Sequence, residues 1–291
     1  MRGVGTGWAA ISVVNALFTG VGSAAAIGIP ATAYVEIRTV PAGSSGQVSV
    51  SPESDTPLVR GSLLEAIRRF GAGADVDASV RVESAIPVAK GLKSSSAVSV
   101  AVLRAAAAAY GTAPTSESIA SASADVSLAI GLSATGAFDD ALASASGGVV
   151  VTENGSRRVH VRGVVDPDWA VVLWTPGGSH APSPTWAARF EAERGPARAA
   201  VAAADRGEWL TAMAANTELV ERVMGYEYRP VRRALERAGA LGSGVSGLGP
   251  TLATVVPRAR IRDVVRQHPA GSTAVTSAEF AGPPMDRGGG P

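Results

Sequence analysis

The clearest alternation of apolar and polar residues runs over 76–83 and predicts a half-buried strand. Valine or alanine occupies positions 76, 78, 80 and 82, and the residues between them are polar or charged. The segment 98–110 is rich in alanine and valine and contains no glycine or proline, so it predicts a helix. Between them lies PVAKGLKSSSA, residues 87–97. The predicted order is a strand, a polar loop and a helix.

Hydrophobic spacing and turn residues also place elements around this unit. Glycine, serine and proline punctuate the first 57 residues, so we expect strands and loops there. Leu63, Leu64, Ile67 and Phe70 fall at helical spacing and indicate the first helix. The expected segments are a strand at 5–16, a loop at 19–29, strands at 31–39 and 47–51, and helices at 58–70 and 116–130, the last with Thr115 as N-cap.

From residue 149 the pattern changes to short strands, followed by longer helical runs. The Asn154-Gly155 pair is a turn signal that joins the first two strands. The expected segments are strands at 148–152, 158–162, 169–175 and 252–256, a loop at 177–184 containing His180, and helices at 186–206, 208–224, 230–238 and 264–267. We therefore divide the chain into an N-terminal half, 1–155, a C-terminal half, 156–281, and a disordered tail, 282–291.

Composition narrows the class of protein. With 291 residues, 46% of them hydrophobic, and a formal charge of +1, the chain can bury a large core and has no bias toward nucleic acid or a membrane surface. The small-residue segment 8–29 is too interrupted by glycine and polar residues for a signal peptide or a membrane span. The chain has no cysteine, and its three histidines lack metal-ligand spacing. These features fit a cytoplasmic enzyme without a thiolate metal site.

The loop before the helix at 98–110 has the composition of an anion-binding site. A helix N-terminus leaves backbone N–H groups unpaired and carries the positive end of the helix dipole. The serines at 94–96 are candidate N-caps that also offer hydroxyl groups, and Gly91 lets the backbone approach a ligand. Lys90 and Lys93 are the only two lysines among 26 basic residues. The combination indicates a polyphosphate site, with chance placement of the lysines as the alternative.

The segment 87–97 resembles a known phosphate loop. It is not a Walker A motif, because no Gly-x-x-x-x-Gly-Lys-Ser/Thr occurs in the chain. It resembles the second motif of the GHMP kinase superfamily, P-x-x-x-G-L-x-S-S-A, and KGLKSSSA is most similar to the archaeal type of shikimate kinase. The glycine-rich segment 241–256 resembles the third motif of the superfamily. The resemblance implies ATP binding by Pro87, Val88, Ala89, Lys90, Gly91, Leu92, Lys93, Ser94, Ser95, Ser96 and Ala97, and by Gly244, Ser246 and Gly247.

A further stretch, LSATGAFDDALASASGG at 132–148, carries two adjacent carboxylates. On the residues alone, Asp139 and Asp140 simply flank or cap a short helix. The archaeal shikimate kinases carry a similar TGAFDDA, and the resemblance implies that one aspartate contacts the acceptor hydroxyl and acts as base. Asp139 fits that position when counted forward from the turn. Asp140 fits nearly as well when counted back from the paired glycines.

The remaining site residues are also implied by the resemblance. Lys93 would supply positive charge as a catalytic residue beside the two aspartates. Asp125 stands near the place where the superfamily has a magnesium-binding glutamate. Arg38 is a candidate cation for an acceptor carboxylate. The implied substrate-binding residues are Asn15, Ser23, Thr135 and Asp139, and the implied metal ligands are Ser95, Ser96 and Asp125.

The three resembling segments occur in the order of the superfamily and imply an α+β, two-domain GHMP kinase fold. Its N-terminal half would be similar to ribosomal protein S5 domain 2 and its C-terminal half ferredoxin-like. The implied activity is Mg²⁺-dependent transfer of the γ-phosphoryl group of ATP to the 3-hydroxyl of shikimate, in aromatic amino acid biosynthesis. The alternatives are a homoserine or mevalonate kinase, a non-catalytic nucleotide-binding relative, and a purely structural protein. We expect no nucleic-acid or membrane partner, and a homodimer remains open.

Overall fold

The computed structural model describes residues 1–41, 46–71, 75–176, 186–269 and 274–282. The predicted loop at 177–184, with His180, and the tail beyond Gly282 lie outside the described residues. Among the described helices, none has the length and apolar character needed to cross a membrane. The strands and helices of the described part assemble into two layered halves, each with its own sheet.

The chain opens with two long strands, and helices and strands then follow one another to the end of the described part. The strands are β1 (Arg2–Val14), β2 (Val21–Thr39), β3 (Val48–Val50), β4 (Val76–Ser84), β5 (Val149–Glu153), β6 (Arg158–Gly163), β7 (Trp169–Thr175), β8 (Gly242–Val245), β9 (Leu252–Pro257) and β10 (Ala274–Glu279). The helices are α1 (Pro57–Phe70), α2 (Ser94–Ala109), α3 (Ser116–Ala129), α4 (Phe138–Ser146), α5 (Trp186–Ala192), α6 (Arg194–Asp205), α7 (Trp209–Met224), α8 (Arg229–Arg237) and α9 (Ile261–Val265).

The first sheet has the order β3-β4-β2-β5-β6, and β1 pairs with β2 off this path. Only the β3–β4 pair is parallel among the described pairs of this sheet. Helix α2 packs on β1 and β2, and α1, α3 and α4 pack around it. Strand β2 pairs with β5 near its start and with β4 near its end, so this one strand joins the two sides of the sheet.

Three glycines on β1 allow the backbone of α2 to lie directly on the strand. A Cβ atom added at Gly3 would lie 2.0 Å from the Ala105 carbonyl oxygen, and one at Gly5 would lie 2.3 Å from the Ala105 nitrogen. A Cβ atom at Gly7 would lie 2.1 Å from the Ala97 carbonyl oxygen. Helix and strand therefore touch through main-chain atoms, and no side chain fits between them.

Replacing Gly5 with alanine is expected to lower the free energy of unfolding by about 1–3 kcal/mol or more, because overpacking a close contact forces backbone shifts. Chemical denaturation followed by circular dichroism measures the change. Gly155→Ala is the matched control, since a Cβ atom there meets nothing within 4 Å, and we expect a change within about 0.5 kcal/mol. Equal stability losses in the two variants would contradict the close α2–β1 contact.

The second sheet has the order β10-β7-β9-β8, and all its described pairs are antiparallel. Helix α7 packs against β8, and α6 packs against α7. The core of this half gathers large side chains such as Trp174, Leu219 and Leu252. Phe18, from the connection between β1 and β2, joins this core and packs its ring 4.9 Å from that of Phe190. The N-terminal segment therefore contributes to both halves.

The end of the described chain returns to the first sheet. Phe280 forms a bridge with Ile27, and the Ala281 N–H donates to the Ala26 carbonyl oxygen at 3.0 Å. The Gly148 N–H in turn donates to the Ala281 carbonyl oxygen at 2.8 Å. These bonds tie the last strand of the second sheet to β2 and β5 of the first.

The predicted loop at 19–29 is wrong, because β2 runs unbroken from Val21 to Thr39. Its first part contains Ala24, Ala25 and Ala26, all fully buried. Helices α2 and α4 pack on this strand. Glycine and alanine have weak strand propensity, so composition indicated a loop where close packing requires small side chains.

Three further differences from the predictions concern element boundaries. The predicted helix at 186–206 is divided into α5 and α6 at Glu193, because Pro196 lacks an N–H to continue the preceding helix and is tolerated in the first turn of a new one. Strands β8 and β10 were not predicted. Strand β6 pairs with β5, so the first sheet extends to Gly163.

Candidate active site

The phosphate loop joins β4 to α2 and contains alternate residues with left-handed backbone. The φ angles are 57° at Ala89, 81° at Gly91 and 59° at Lys93. Lys93 is the N-cap of α2, which begins at Ser94. The predicted serine N-cap is therefore wrong, and the serines at 94–96 form the first helical turn. Left-handed residues in a loop before a helix can turn neighbouring backbone N–H groups to one side, which is a typical anion-binding geometry.

Ser246 fixes the phosphate loop from the second half of the chain. Its hydroxyl donates to the Gly91 carbonyl oxygen at 2.7 Å and accepts from the Ser12 N–H at 3.1 Å. The Ser12 hydroxyl accepts from the Gly247 N–H at 2.9 Å. A Cβ atom at Gly91 would lie 2.0 Å from the Ser246 carbonyl oxygen. The structure thus brings the predicted second and third motifs into direct backbone contact.

Two tyrosines support the loop that contains Ser246. The Tyr226 hydroxyl donates to the Leu248 carbonyl oxygen at 2.6 Å, and the Tyr228 hydroxyl donates to the Pro250 carbonyl oxygen at 3.1 Å. Their rings stack with centroids 4.9 Å apart. Gly244 lies elsewhere: it belongs to β8, and a Cβ atom there would lie 2.4 Å from Met213 Cγ on α7. Its predicted contact with ATP is not supported, because the close approach is to a helix.

The two aspartates of the second stretch lie side by side in the first turn of α4 and are buried. Lys93 Nζ lies 3.1 Å from Asp140 Oδ1, and both side chains are about seven-eighths buried, with 14% and 13% exposed. The phosphate loop and the acidic stretch therefore meet through this ion pair. The helix dipole of α4 adds a favourable positive potential for both carboxylates.

Burial raises the pKa of Asp139 from its ordinary value of 3.8 to about 7, and the neighbouring Asp140 carboxylate adds to the rise. Lys93 and a hydrogen bond from Asn154 act in the opposite direction. A Cβ atom at Gly22 would lie 2.2 Å from Asp139 Oδ2, so the missing side chain on β2 makes room for this carboxyl. A carboxyl with a pKa near neutrality can exchange a proton with an alcohol as a general base.

A cavity of about 280 Å³ lies beside the aspartates. Its wall combines polar and apolar groups from both halves of the chain. The residues that line it are Val14, Asn15, Ala16, Leu17, Lys93, Leu132, Ser133, Ala134, Thr135, Ala137, Asp139, Asp140, Gly247 and Leu248. Its polar groups, a cation, two carboxyls and hydroxyls, suit a small polyhydroxylated molecule.

A second cavity, of about 660 Å³, lies on the other side of the phosphate loop. Its residues include Val88, Ser95 and Val98 from the loop and α2, and Thr56 and Val59 from the start of α1. Leu132 lines both cavities, whereas the consecutive residues Lys93 and Ser94 line one cavity each. The two cavities therefore adjoin at the N-terminus of α2.

Of the predicted substrate-binding residues, some line the smaller cavity and one does not. Thr135 lines the smaller cavity, and its hydroxyl accepts from the Ala137 N–H at 3.3 Å. Asn15 also lines it, but its side chain bonds to the Gly247 carbonyl oxygen and the Leu17 N–H. Ser23 is fully buried in β2 and is not among the residues that line this cavity. Asn15 thus shapes the wall, and the predicted substrate contact of Ser23 is not supported.

Two predicted cation and metal residues lie apart from this arrangement. Asp125 forms ion pairs with Arg69 and Arg157, one through each carboxylate oxygen, which argues against its role as a magnesium ligand. Arg38 lies at the far end of β2, sixteen residues from Gly22. At ~3.3 Å per residue the two positions are separated by about 50 Å along the strand, so Arg38 cannot reach a substrate at Asp139.

Among the described residues, no group of three His, Asp or Glu side chains could hold a metal ion. Mg²⁺ in nucleotide sites is held mainly by phosphate oxygens and water, with one or two protein groups. Ser95, in the first turn of α2, offers a hydroxyl to the larger cavity. Ser96 is buried, with 6% of its surface exposed. The residues present therefore fit a magnesium ion carried by a nucleotide better than a metal held by protein alone.

Sequence reasoning missed Asn154, Ser12, Tyr226 and Tyr228. The sequence marks Asn154 only as a turn residue between two strands, yet its side chain bonds to Asp139. The tyrosines lie between predicted helices, and nothing in the sequence relates them to a loop more than twenty residues away. Contacts of this kind depend on the packing of the second half against the first.

Two family models match the chain. The model of the GHMP kinases N terminal domain matches residues 58–148, and that of the GHMP kinases C terminal region matches residues 197–271. The first match contains the phosphate loop and the acidic stretch. The second contains the Ser246 loop, so together the two models cover all three site segments described above.

Curated relatives and solved structures agree with these matches. A shikimate kinase of Halobacterium salinarum is 36% identical over 94% of this chain and 96% of its own. One from Thermococcus kodakarensis is 36% identical over 84% of this chain and 89% of its own.

Among solved structures, a phosphotransferase related to the CoA biosynthesis pathway has a TM-score of 0.74 at 14% identity, with 96% of each chain covered. A homoserine kinase from Cytophaga hutchinsonii has a TM-score of 0.70 at 16% identity, again with 96% of each chain covered. At these identities the structures establish the fold alone. The chain belongs to the GHMP kinase superfamily and has its two-domain fold.

Proposed function

We propose that the protein is an ATP-dependent shikimate kinase that phosphorylates the 3-hydroxyl of shikimate. The observation that carries the proposal is the contact between a phosphate loop and a buried acidic pair: Lys93 belongs to the loop and lies 3.1 Å from Asp140. The names of the curated relatives, at 36% identity over 94% of the chain, favour shikimate as the acceptor.

The nucleotide would occupy the larger cavity and the phosphate loop. Val88 and Val98 provide apolar surface against which the adenine ring could pack. The loop N–H groups at the left-handed residues 89, 91 and 93 and the N-terminus of α2 would hold the β- and γ-phosphates. Phosphoryl transfer depends mainly on positioning the two reactants and on neutralising the charge of the phosphoryl oxygens. The loop N–H groups and Lys93 would serve both purposes.

The acceptor would occupy the smaller cavity, with its hydroxyl between Asp139 and the γ-phosphate. The hydroxyl oxygen attacks the γ-phosphorus, the bond from that phosphorus to the ADP oxygen breaks, and the hydroxyl proton passes to the Asp139 carboxylate. Lys93 would neutralise the charge of the transferred group. Asp139 has the raised pKa, so we assign it the role of general base. Asp140 pairs with Lys93, so we assign it the role of orienting that lysine.

Magnesium would enter with the nucleotide and neutralise charge on the β- and γ-phosphate oxygens. Of the two serines predicted as metal ligands, Ser95 would hold it, because Ser95 lines the larger cavity whereas Ser96 is buried. Asp125 is engaged by two arginines and takes no part in this assignment.

A homoserine or mevalonate kinase is the second candidate, since solved structures with those names share the fold. An ADP-release assay with shikimate, homoserine, mevalonate and galactose distinguishes the candidates. We expect turnover with shikimate alone, and a product whose phosphorus NMR signal couples to the proton on carbon 3. Turnover with another acceptor and none with shikimate would refute the proposal. The absence of any ATP-dependent thermal shift would favour a purely structural protein instead.

A further inference from the structure

We propose that Asn154 is a positioning residue for phosphoryl transfer, whose side-chain amide holds the Asp139 carboxylate in a single orientation at the acceptor cavity. The inference rests on the proposed function, since it requires Asp139 to be the base. No family resemblance pointed to Asn154, and the sequence marked it only as part of an Asn-Gly turn. The contacts of its side chain carry the inference.

Asn154 uses its whole hydrogen-bonding capacity at this site. It lies just after β5 with 3% of its surface exposed. Its Nδ2 donates to Asp139 Oδ1 at 2.8 Å and to Thr135 Oγ1 at 3.3 Å. Its Oδ1 accepts from the Asp139 N–H at 3.1 Å and from Thr152 Oγ1 at 2.8 Å. The amide therefore grips both the backbone and the carboxylate of Asp139, and also the turn that lines the cavity.

The direction of the amide follows from its partners. A backbone N–H is only a donor and an ionised carboxylate is only an acceptor, so the oxygen of Asn154 must face the Asp139 N–H and its NH₂ must face Asp139 Oδ1. An ionised aspartate at position 154 could not donate the bond to Asp139 Oδ1, and it would place a third carboxylate beside Asp139 and Asp140. Aspartate has nearly the same size and shape as asparagine, but only the amide can make both bonds to Asp139.

The opposite side of the Asp139 carboxyl is enclosed by β2. A Cβ atom at Gly22 would lie 2.2 Å from Asp139 Oδ2, so the backbone of β2 and the amide of Asn154 enclose the carboxyl from two sides. The main chain of Asn154 is anchored to the same region, because its N–H donates to the Gly20 carbonyl oxygen at 2.9 Å. Rotation of the carboxyl away from the cavity would break the 2.8 Å bond.

Asn154 also affects the charge of Asp139. In the described part of the chain, the charged groups that face Asp139 are Asp140 on its own helix and Lys93 from the phosphate loop, whereas β2 and β5 contribute the neutral Gly22 and Asn154. The Asn154 hydrogen bond favours the ionised carboxylate and so lowers the pKa of Asp139. Its removal raises that pKa, and the base then stays protonated to a higher pH.

The test compares Asn154→Ala and Asn154→Asp with Thr152→Val in the full-length protein. We expect kcat of Asn154→Ala to fall about 10²-fold, as a misplaced catalytic group commonly causes, with a smaller change in KM for ATP. In the plot of kcat/KM against pH, the acid limb, where activity falls as Asp139 becomes protonated, should move to higher pH by about one unit. The reason is that a hydrogen bond to the charged carboxylate is lost. Asn154→Asp should be at least as impaired.

Thr152→Val is the matched control because it removes one buried hydrogen bond of Asn154 but leaves both bonds to Asp139. It should lower the melting temperature less than Asn154→Ala, because one hydrogen bond is lost instead of four, while the acid limb stays in place. An Asn154→Ala enzyme with an unshifted acid limb and a kcat near wild type would overturn the inference. If Asp139→Asn also remained active, the base assignment itself would fail, so the two failures are distinguishable.

Discussion

Replacing Asp139 with asparagine is expected to lower kcat by about 10²–10⁴-fold, the contribution of a positioned general base. Asparagine keeps the shape of the carboxyl but cannot take the proton of the acceptor hydroxyl. KM for ATP should change little, since Asp139 is not among the described residues that line the larger cavity. Steady-state kinetics with shikimate at pH 8 measure the effect.

Stability provides the control for this variant. The folded pKa of Asp139, about 7, lies above its ordinary value of 3.8, so the folded state binds more protons than the unfolded state between these values. Ionising Asp139 therefore reduces the free energy of unfolding as the pH rises through 7. Asp139→Asn removes this penalty and should be at least as stable as wild type at pH 8. A variant that unfolds more readily there would contradict the raised pKa.

Asp140→Asn separates the roles of the two carboxylates. It leaves Asp139 in place but removes the partner of Lys93, so we expect a smaller fall in kcat than for Asp139→Asn. Because the Asp140 carboxylate raises the pKa of Asp139, its loss should also move the acid limb of kcat/KM to lower pH. A larger loss of kcat in Asp140→Asn than in Asp139→Asn would reverse the assignment of the base.

Replacing Lys93 with methionine is expected to lower kcat by about 10²–10³-fold, the usual effect of removing one group that stabilises transition-state charge. Methionine retains much of the length of lysine and fills the same buried space. Lys93 also lowers the pKa of Asp139, so its loss should move the acid limb of kcat/KM to higher pH. Rate profiles between pH 5 and 9 measure both effects.

Lys90→Met is the comparison for this variant, because the chain has no other lysine. Lys90 lies in the same loop but is not among the residues that line the acceptor cavity. Its loss should raise KM for ATP more than it lowers kcat, and the acid limb should not move. If both variants gave the same kcat and the same pH profile, Lys93 would have no special role at the acidic pair.

The sequence was sufficient for the parts of the site that lie within one continuous segment. Alternation over 76–83 and the alanine-rich run after it predicted β4 and α2, and the loop between them is confirmed as a strand-to-helix connection. The acidic pair in the first turn of a short helix was also predicted. In both cases the signal is local, since periodicity and turn residues act over a few positions.

Contacts between distant segments could not be predicted from the sequence. Ser246 bonds to Gly91 across 155 positions, and Asn15 bonds to Asn216 across 201. The N-cap of α2 was also misassigned, because serine is usually preferred there. The left-handed backbone of Lys93 depends on the packing of the whole loop. The ion pairs of Asp125 could not be predicted for a similar reason, since its two arginine partners come from α1 and the β5–β6 hairpin.

The glycines of β1 limit how the packing of this kinase can change during evolution. Side chains in an ordinary helix–sheet interface can exchange volume with their neighbours, and the spacing between the layers then drifts by fractions of an ångström. Main-chain atoms in contact have no rotamers to exchange. The N-terminal end of α2 is thus held at a fixed height above the sheet, and we expect substitutions elsewhere in the core to leave that height unchanged.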